Sequence, residues 1–157
     1  MRIGQSIDIH PLKEGRKLIL GGVPIESDKG LDGHSDADVC THAIMESILG
    51  ALSLGDLGKH FPDTDPRYKG ADSLKLCSHV YDLMVEKGYK IGNIDATILM
   101  EKPKLAPYID QMKLNLSNVL HCLPSQISIK ATRGEKLGFV GRQEGAVCLA
   151  VCLLEEV

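Results

Sequence analysis

Aromatic residues and excess positive charge are scarce in this chain of 157 residues, which has no tryptophan, two phenylalanines and a net charge of −3. Proteins that bind nucleic acids usually stack bases on aromatic side chains and hold phosphates with a basic patch. The lysines and arginines of this chain are instead dispersed along its length. The composition therefore argues against a nucleic-acid partner.

Long apolar segments are missing as well. No stretch of about 18 apolar residues could span a bilayer, and no apolar signal segment stands at the N-terminus. The five cysteines form no C-x-x-C pair and lie among apolar neighbours, which favours buried thiols in a reducing compartment over disulfides. We expect no membrane partner, and a location in the bacterial cytoplasm or, for a matured organellar chain, in the plastid stroma.

Length and hydrophobic pattern predict a single domain over residues 1–157, in which 43% of the residues are apolar and 25% are charged. Strand-like apolar patterns occur at 2–9, 17–25, 91–100, 127–131 and 146–154. Helical spacing of apolar residues occurs at about 35–51, 72–87 and 107–120. The order β-β-α-α-β-α-β-β predicts an α/β fold of the α+β type, a two-layer sandwich whose mixed β-sheet carries helices on one face.

Four local features add detail to this fold. Ser35 stands three residues before Asp38, which resembles a capping box and predicts that the first helix begins there. The Gly21-Gly22 pair predicts a bend or bulge in the second strand. Residues 55–70 show no regular pattern, and an irregular loop of this length more often has a function. The last strand is apolar on both faces, which predicts a buried central strand or an oligomer contact.

A candidate metal site joins the first strand to the first helix. Asp8 and His10 lie two residues apart on a strand and therefore point to the same face. His42, two turns into the helix, would add a third ligand, and this donor set suits Zn²⁺ with a fourth position left open for water or substrate. Asp38 and Glu46, each four residues from His42, could orient its free ring nitrogen. Chance occurrence of D-x-H, with His42 exposed to solvent, is the alternative.

Further polar groups each admit two interpretations. His34 and Ser35 lie at the predicted helix start, where backbone amides and the helix dipole favour phosphate, although Ser35 could be an N-cap alone. Asp63 and Asp65 could hold hydroxyls or a second cation, or could be turn residues next to proline. No P-loop and no G-x-G-x-x-G fingerprint is present. Phosphate binding would thus use this helix start, the metal and basic residues such as Lys104, Lys130 or Arg133.

These residues alone are compatible with two different classes of protein. A zinc phosphoesterase would use the open metal position to activate water and would release a linear product. A binding module without catalysis would instead use the metal to tie a hairpin to a helix in an oligomer. Before any family is considered, the residues favour the phosphoesterase.

A family resemblance runs through almost the whole chain in one order of segments. The segments are Asp8-Ile9-His10, His34-Ser35-Asp36-Ala37-Asp38 with His42, residues 54–66, 69–73 and 92–95, Pro103-Lys104, residues 130–132 and 135–139, and Gly141-Arg142. The chain thereby resembles the 2-C-methyl-D-erythritol 2,4-cyclodiphosphate synthase family of the non-mevalonate isoprenoid pathway.

The resemblance implies roles for individual residues. Asp8, His10 and His42 match the ligands of one zinc ion per subunit, and Glu135 matches the ligand of a second divalent ion, Mg²⁺ or Mn²⁺, that accompanies the substrate. His34 and Arg133 would stabilise the transition state. The remaining matches imply contacts with the diphosphate, the methylerythritol, the ribose and the cytosine: Ser35, Asp56, Leu57, Gly58, Phe61, Pro62, Asp63, Thr64, Asp65, Met100, Lys104, Leu105, Ala106, Ala131, Thr132, Phe139 and Arg142.

The resemblance also implies a reaction and an assembly. The substrate would be 4-diphosphocytidyl-2-C-methyl-D-erythritol 2-phosphate, whose 2-phosphate attacks the β-phosphorus, closes a cyclodiphosphate and expels CMP. The enzyme would be a homotrimer with active sites at the subunit boundaries, which would explain the apolar last strand.

The chain departs from the family pattern in three places. Ser6-Ile7 precedes the first ligand pair where Gly-Phe is usual, and Glu46 replaces an aspartate. Arg133 replaces a threonine whose hydroxyl touches phosphate. Because a guanidinium can also bind phosphate, the role at this position is either kept with a different geometry or lost.

Overall fold

The computed structural model describes all residues, 1–157. Seven strands are present, and their bounds are β1 Arg2–Glu14, β2 Leu18–Leu20, β3 Val23–Ile25, β4 Lys29–Leu31, β5 Tyr89–Leu99, β6 Ile127–Thr132 and β7 Gly145–Glu156. Five of them form one sheet in the order β4-β1-β7-β5-β6, while β2 and β3 pair as a separate hairpin. Only β5 and β6 run parallel, so the predicted mixed sheet is confirmed.

The helices connect these strands and cover one face of the sheet. Their bounds are α1 Val39–Ala51, α2 Leu57–His60, α3 Ser73–Glu86, α4 Ile109–Val119 and α5 Gly138–Gly141, with 3-10 turns at Pro66–Tyr68, Ala106–Tyr108 and Pro124–Gln126. Helix α1 lies across β1 and β7, while α3 packs on α1 and β5 and α4 packs on β6. The two-layer arrangement predicted from the sequence is therefore confirmed. None of the helices combines the length and apolar character needed to cross a membrane.

The predicted second strand is in fact a hairpin. Gly21 and Gly22 have φ angles of +54° and +71°, a left-handed conformation that glycine adopts without steric cost. Two successive residues of this kind form a tight turn that matches the twist of paired strands. The glycine pair thus reverses the chain between β2 and β3, where a bend or bulge was expected.

The start of α1 also differs from the prediction. Asp38, not Ser35, is the N-cap, and its carboxylate accepts hydrogen bonds from the Thr41 amide at 2.9 Å and the Thr41 hydroxyl at 2.7 Å. The same carboxylate accepts from the Gly21 and Gly22 amides at 2.9 and 2.8 Å. A fully buried carboxylate requires such partners, so Asp38 can occupy this position only because the hairpin turn supplies them.

The segment 55–70 contains more regular structure than was predicted. Asp56 caps α2 by accepting from the Lys59 amide at 3.0 Å, and Asp65 caps the following 3-10 turn by accepting from the Arg67 amide at 2.9 Å. Helices of one turn have too few residues to show a hydrophobic period, which explains why the sequence pattern did not indicate them.

The opposite face of the sheet is apolar and exposed in the single chain. Strand β7 lies between β1 and β5, which confirms that it is a central strand. Its alternate residues Cys148, Ala150 and Cys152 are buried under the helices, whereas Leu149 and Val151 point away and are 43% and 49% exposed. Large apolar side chains of the neighbouring strand extend this surface: Ile3, Ile7 and Ile9.

The contact between β1 and α1 gives a stability prediction. A Cβ atom built on Gly4 would lie 1.9 Å from the Ser47 carbonyl oxygen and 2.7 Å from the Ala51 amide nitrogen. Because these atoms belong to a helix backbone, we expect Gly4→Ala to lower the free energy of unfolding by about 1–3 kcal/mol or more in urea denaturation.

Gly50→Ala is the matched control for this prediction. Its added Cβ would lie 3.9 Å from the Gln5 carbonyl oxygen, which is an ordinary van der Waals contact. We expect this variant to be unchanged or more stable by about 0.5–1 kcal/mol, since alanine is favoured over glycine in a helix. Equal stability of both variants would contradict close packing at Gly4.

Candidate metal centre and active site

Three side chains from two elements converge at the end of the β1–α1 contact. Asp8 and His10 point from β1 towards the helices, and His42 lies one turn into α1. The Asp8 Oδ2 atom is 3.0 Å from His10 Nε2 and 3.3 Å from His42 Nδ1, and the two ring nitrogens are 3.3 Å apart. The predicted set of one carboxylate and two imidazoles is thus assembled, although His42 is one helical turn nearer the start of α1 than expected.

The chemistry of this cluster fits a bound cation. Asp8 Oδ2 is buried and has no hydrogen-bond partner of good geometry, although both imidazoles are close. An unpaired buried carboxylate oxygen is unfavourable unless a positive charge neutralises it. Aspartate and histidine are common zinc donors, and three protein ligands leave a fourth position open. The residues therefore form a candidate metal site.

Electrostatic coupling within the cluster shifts two pKa values in opposite directions. Burial alone would raise the pKa of the Asp8 carboxyl, but the His10 and His42 imidazoles outweigh burial and bring this pKa to about 2. Burial would lower the pKa of His10, but the Asp8 carboxylate outweighs it and raises the pKa above the ordinary value. The cluster thus favours an ionised Asp8 next to a positively charged His10.

The second nitrogen of each imidazole has its own partner. His10 Nδ1 lies 3.0 Å from the Asp32 carbonyl oxygen. His42 Nε2 lies 2.7 Å from the Ser73 hydroxyl and 3.2 Å from the Ser35 hydroxyl. Sequence spacing did not indicate Ser73, which is 31 residues away from His42, although it belongs to a segment that carried the family resemblance.

The carboxylates expected to orient His42 are used elsewhere. Asp38 caps α1, and Glu46 accepts from the Leu57 amide at 3.1 Å and from the Ser6 hydroxyl at 3.4 Å. The expectation that either of them orients the His42 ring is therefore wrong. Both lie one helical turn from His42 on α1, but their side chains bond to neighbouring elements instead of the imidazole.

The helix start predicted at Ser35 also needs correction, whereas phosphate binding by His34 and Ser35 stays a prediction. His34 and Ser35 precede α1 by several residues, and the Thr41 amide in its first turn is already bonded to Asp38. Because α1 begins at Val39, the backbone amides of its first turn do not lie at Ser35, where the prediction placed them. His34 Nε2 instead lies 3.0 Å from the Asp65 carbonyl oxygen, and Ser35 contacts His42.

A pocket of about 430 Å³ opens beside the metal ligands. Six predicted site residues line it together with the ligands: His34, Ser35, Leu57, Gly58, Phe61 and Asp63. Five further residues complete the wall and were not predicted: Gly33, Met45, Glu46, Tyr68 and Leu76. The Tyr68 and Phe61 rings meet edge to face with centroids 5.4 Å apart, and such apolar contacts have no sequence signal beyond ordinary core packing.

Other predicted residues lie in or beside the segment that borders this pocket. Asp56 is exposed at the N-cap of α2, and Pro62 and Thr64 follow in the same segment. The Asp65 carboxylate is bound by the Arg67 guanidinium at 2.7 Å. Asp65 therefore has a local structural role in the single chain.

A second pocket, of about 510 Å³, gathers residues 100–106, which the family resemblance matches to the cytosine pocket, with predicted residues at the end of β6. Its predicted members are Met100, Lys104, Leu105, Ala106, Ala131, Thr132 and Arg133, and its other members are Glu101, Lys102, Pro103 and Lys136. The Glu101 carboxylate accepts from the Gly134 amide at 2.8 Å and so shapes the loop behind this pocket. No residue is shared between the two pockets. One chain therefore holds the predicted site in two separate parts.

The last three predicted residues lie in the loop before β7 and its short helix. Glu135 is exposed with φ at +52°, and it belongs to no cluster of three potential metal-ligating side chains. Phe139 is 38% exposed, and the Arg142 guanidinium pairs with Glu144 at 2.6 Å.

Comparison with known proteins identifies the family. The YgbB family model matches residues 1–155. The 2-C-methyl-D-erythritol 2,4-cyclodiphosphate synthase of Clostridioides difficile is 62% identical, with 98% of this chain and 96% of that protein covered. The corresponding synthase of Chlorobaculum tepidum is 59% identical, with 99% of both chains covered. This chain belongs to the 2-C-methyl-D-erythritol 2,4-cyclodiphosphate synthase family.

Solved structures of the synthase family agree with the fold. A complex of Plasmodium falciparum IspF with CDP superposes with a TM-score of 0.87 at 37% identity and covers 99% of this chain and 96% of that one. The bifunctional IspDF of Campylobacter jejuni superposes with a TM-score of 0.95 at 40% identity and covers 99% of this chain but 42% of that one. The predictions of the family, of the α/β fold and of an enzyme that releases CMP as a lyase in the non-mevalonate pathway are confirmed.

The shifted pKa values predict how stability depends on pH in the metal-free synthase. Asp8 contributes stability above its ordinary pKa of 3.8, and this is lost as pH falls towards 2. His10 contributes stability below its ordinary pKa of 6.5, and this is lost as pH rises through the raised value. We expect Asp8→Asn to lower the free energy of unfolding most between about pH 4 and 6.5, by about 1–2 kcal/mol.

Urea denaturation in the presence of a chelator, repeated across this pH range, measures the effect. Asp28→Asn, which changes an exposed carboxylate, is the control and should show no such window. A stability loss for Asp8→Asn that is constant with pH would contradict the coupling between Asp8 and His10.

Proposed function

We propose that this synthase converts 4-diphosphocytidyl-2-C-methyl-D-erythritol 2-phosphate into 2-C-methyl-D-erythritol 2,4-cyclodiphosphate and CMP. The observation that carries the proposal is the Asp8–His10–His42 cluster at the edge of a pocket lined by His34 and Ser35. These residues match the family groups that receive the metal, the diphosphate and the erythritol. The strong sequence similarity over the full chain supports the same substrate.

The proposed reaction needs little help with proton transfer. A 2-phosphate oxygen forms a bond to the β-phosphorus, the bond from that phosphorus to the oxygen bridging the α-phosphate breaks, and CMP leaves with that oxygen and its electron pair. The attacking phosphate is already anionic near neutral pH, so no strong general base is required. The difficulty is to bring two anionic groups together, and holding both ends of one molecule can contribute up to about 7–11 kcal/mol.

Charge stabilisation is the second requirement of this reaction. Asp8, His10 and His42 would hold one Zn²⁺ per chain, which would polarise and align a phosphate. Glu135 would bring Mg²⁺ or Mn²⁺ to the diphosphate. We assign His34 and Arg133 to transition-state stabilisation, since an imidazole and a guanidinium can donate hydrogen bonds to developing negative charge. Arg133 is exposed at the second pocket, so its side chain is free to reach a phosphate.

The two separate pockets support assembly into a homotrimer. In one chain the metal ligands and the cytosine-pocket residues line different cavities, so neither cavity offers contacts for the whole substrate. The exposed apolar sheet face, with Ile3 at 72%, Ile7 at 60% and Ile9 at 56%, is a surface that a monomer would leave in contact with water. We propose that this face packs at the centre of a trimer and that each active site combines the first pocket of one chain with the second pocket of its neighbour.

The sequence relatives bear on the proposed location. The two relatives that are about 60% identical, from Clostridioides difficile and Chlorobaculum tepidum, belong to bacteria. This supports the bacterial cytoplasm over the plastid stroma as the location of the enzyme.

Replacement of a metal ligand tests the proposed chemistry. We expect His42→Ala to reduce CMP release by more than about 100-fold, because the cation that stabilises phosphate charge would be lost. Phosphorus NMR of the wild-type product should show the cyclic diphosphate. A linear product would instead indicate a zinc phosphoesterase that activates water.

The control is His121→Ala, which changes an exposed histidine that packs against Tyr81 with ring centroids 4.5 Å apart. We expect this variant to keep wild-type turnover. Undiminished turnover of His42→Ala with the metal removed would contradict the proposal. If metal removal lowered only the melting temperature and no cytidine substrate were turned over, the chain would be a metal-stabilised binding module.

Mixing two inactive variants tests the composite site. His42→Ala disables the first pocket, and Ala106→Trp fills the second pocket from its exposed rim. In a cyclic trimer of both variants, one of the three boundaries always combines an intact first pocket with an intact second pocket. We expect doubly tagged mixed trimers to recover about one third of wild-type activity per chain.

Each variant assembled alone, with both tags, is the control and should stay inactive. Failure of the mixed trimers to recover activity would show that both halves of a site come from one chain. Sedimentation of the mixed sample checks that the species is a trimer.

A further inference from the structure

Two side chains behind the metal ligands form a hydrogen-bonded pair outside the pocket. Ser73, the first residue of α3, is fully buried, and its hydroxyl lies 2.7 Å from His42 Nε2. The same hydroxyl donates a hydrogen bond to the Asp36 carboxylate, which also accepts from the Ser73 amide at 2.9 Å. Asp36 and Ser73 were not among the predicted site residues, and neither of them lines the first pocket.

The donors and acceptors in this series of contacts determine which nitrogen of the neutral His42 ring carries the proton. A carboxylate can only accept hydrogen bonds, so the single hydroxyl proton of Ser73 points to Asp36. Ser73 must then accept a hydrogen bond from His42, which requires a proton on Nε2. A neutral imidazole with its proton on Nε2 has a free electron pair on Nδ1. Nδ1 is the atom that faces Asp8 and His10.

Asp8 instead favours a His42 ring with its proton on Nδ1. Its Oδ2 atom lies 3.3 Å from His42 Nδ1, and the negative charge of the carboxylate favours a proton on that nitrogen. A ring protonated on Nδ1, however, cannot use Nδ1 as a metal ligand. Asp8 and the Asp36–Ser73 pair therefore compete for the position of one proton, and only the second outcome leaves a ligand for a cation.

His10 shows the same arrangement with a different partner. Its Nδ1 atom lies 3.0 Å from the Asp32 backbone carbonyl, which can only accept, so the proton belongs on Nδ1 and Nε2 faces the cluster. A backbone carbonyl thus fixes the position of the ring proton in His10, whereas side chains fix it in His42. Ser35 cannot decide the state of His42, because its hydroxyl, 3.2 Å from Nε2, is able to donate or to accept.

We infer that Asp36 and Ser73 are positioning residues that keep the His42 proton on Nε2 and thereby raise the affinity of the cluster for its cation. The inference rests on the proposed metal centre. Neither the residues that line the pocket nor the spacing of the metal ligands in the sequence indicates that these two side chains control the His42 proton. Because partners of this kind typically change metal affinity by about 10–100-fold, the effect is large enough to measure.

The first test replaces the hydroxyl. We expect Ser73→Ala to weaken zinc binding by about 10–100-fold in competition with a chromophoric chelator. In the zinc-free protein at alkaline pH, nitrogen-15 NMR should show His42 protonated on Nε2 in the wild type and shifted towards Nδ1 in Ser73→Ala, since Asp8 would then be the stronger partner. A purely structural role would not move this signal.

Ser117→Ala is the matched control, because Ser117 is also buried in a helix and its hydroxyl donates to the Leu114 carbonyl at 3.0 Å. We expect it to leave zinc affinity and the His42 signal unchanged. Asp36→Asn serves as a second variant if Ser73→Ala fails to fold. Its amide can donate to Ser73 and free the Ser73 proton for His42, so the signal should again shift towards Nδ1.

The outcomes separate this inference from the proposed function. Wild-type zinc affinity together with an unchanged His42 signal in Ser73→Ala would overturn the inference and leave the metal centre intact. If the wild type itself bound no zinc, the metal centre would fail, and the role assigned to the pair in metal affinity would be overturned with it. Loss of zinc affinity together with the shift of the ring proton supports the pair.

Discussion

The close packing of α1 on β1 is the constraint on which the rest of the structure depends. At one end Gly4 has no side chain, so the helix backbone at Ser47 approaches the strand directly. One step along, the Ser6 hydroxyl bonds to Glu46 on α1. At the far end the same two elements bring His42 to Asp8 and His10. The candidate metal centre is therefore the last contact in a line of strand–helix contacts, and its geometry follows from that packing.

Two carboxylates in the loop before α1 connect this pair of elements to the rest of the molecule. Asp38 holds the β2–β3 hairpin and the first turn of α1 through its buried carboxylate. Asp36 holds the first residue of α3, and through Ser73 it reaches the His42 ring. Two acidic residues of one motif, separated by Ala37, thus serve different elements, and both are structural supports for a site whose candidate ligands lie nearby.

The proposed division of the site between two pockets would link the function to assembly. The first pocket joins the metal ligands to the segment around α2, and the second lies beside the end of β6. An apolar sheet face is left uncovered in one chain. Burial of that face in the proposed trimer would release water from apolar surface and, in the same step, bring complementary pockets together. Stability of the assembly and completion of the site would then have one physical cause.

Local patterns in the sequence determined the main strands and helices, the mixed two-layer fold, and the Asp8, His10 and His42 donor set, because periodicity and side-chain chemistry are properties of neighbouring residues. Family motifs supplied the enzyme class and the candidate substrate residues. Only the tertiary structure decided that Asp38 caps α1 while binding Gly21 and Gly22, and that the Ser73 hydroxyl contacts the His42 ring. Those contacts join residues 16 to 31 positions apart, and their formation depends on how whole elements pack, which no local pattern encodes.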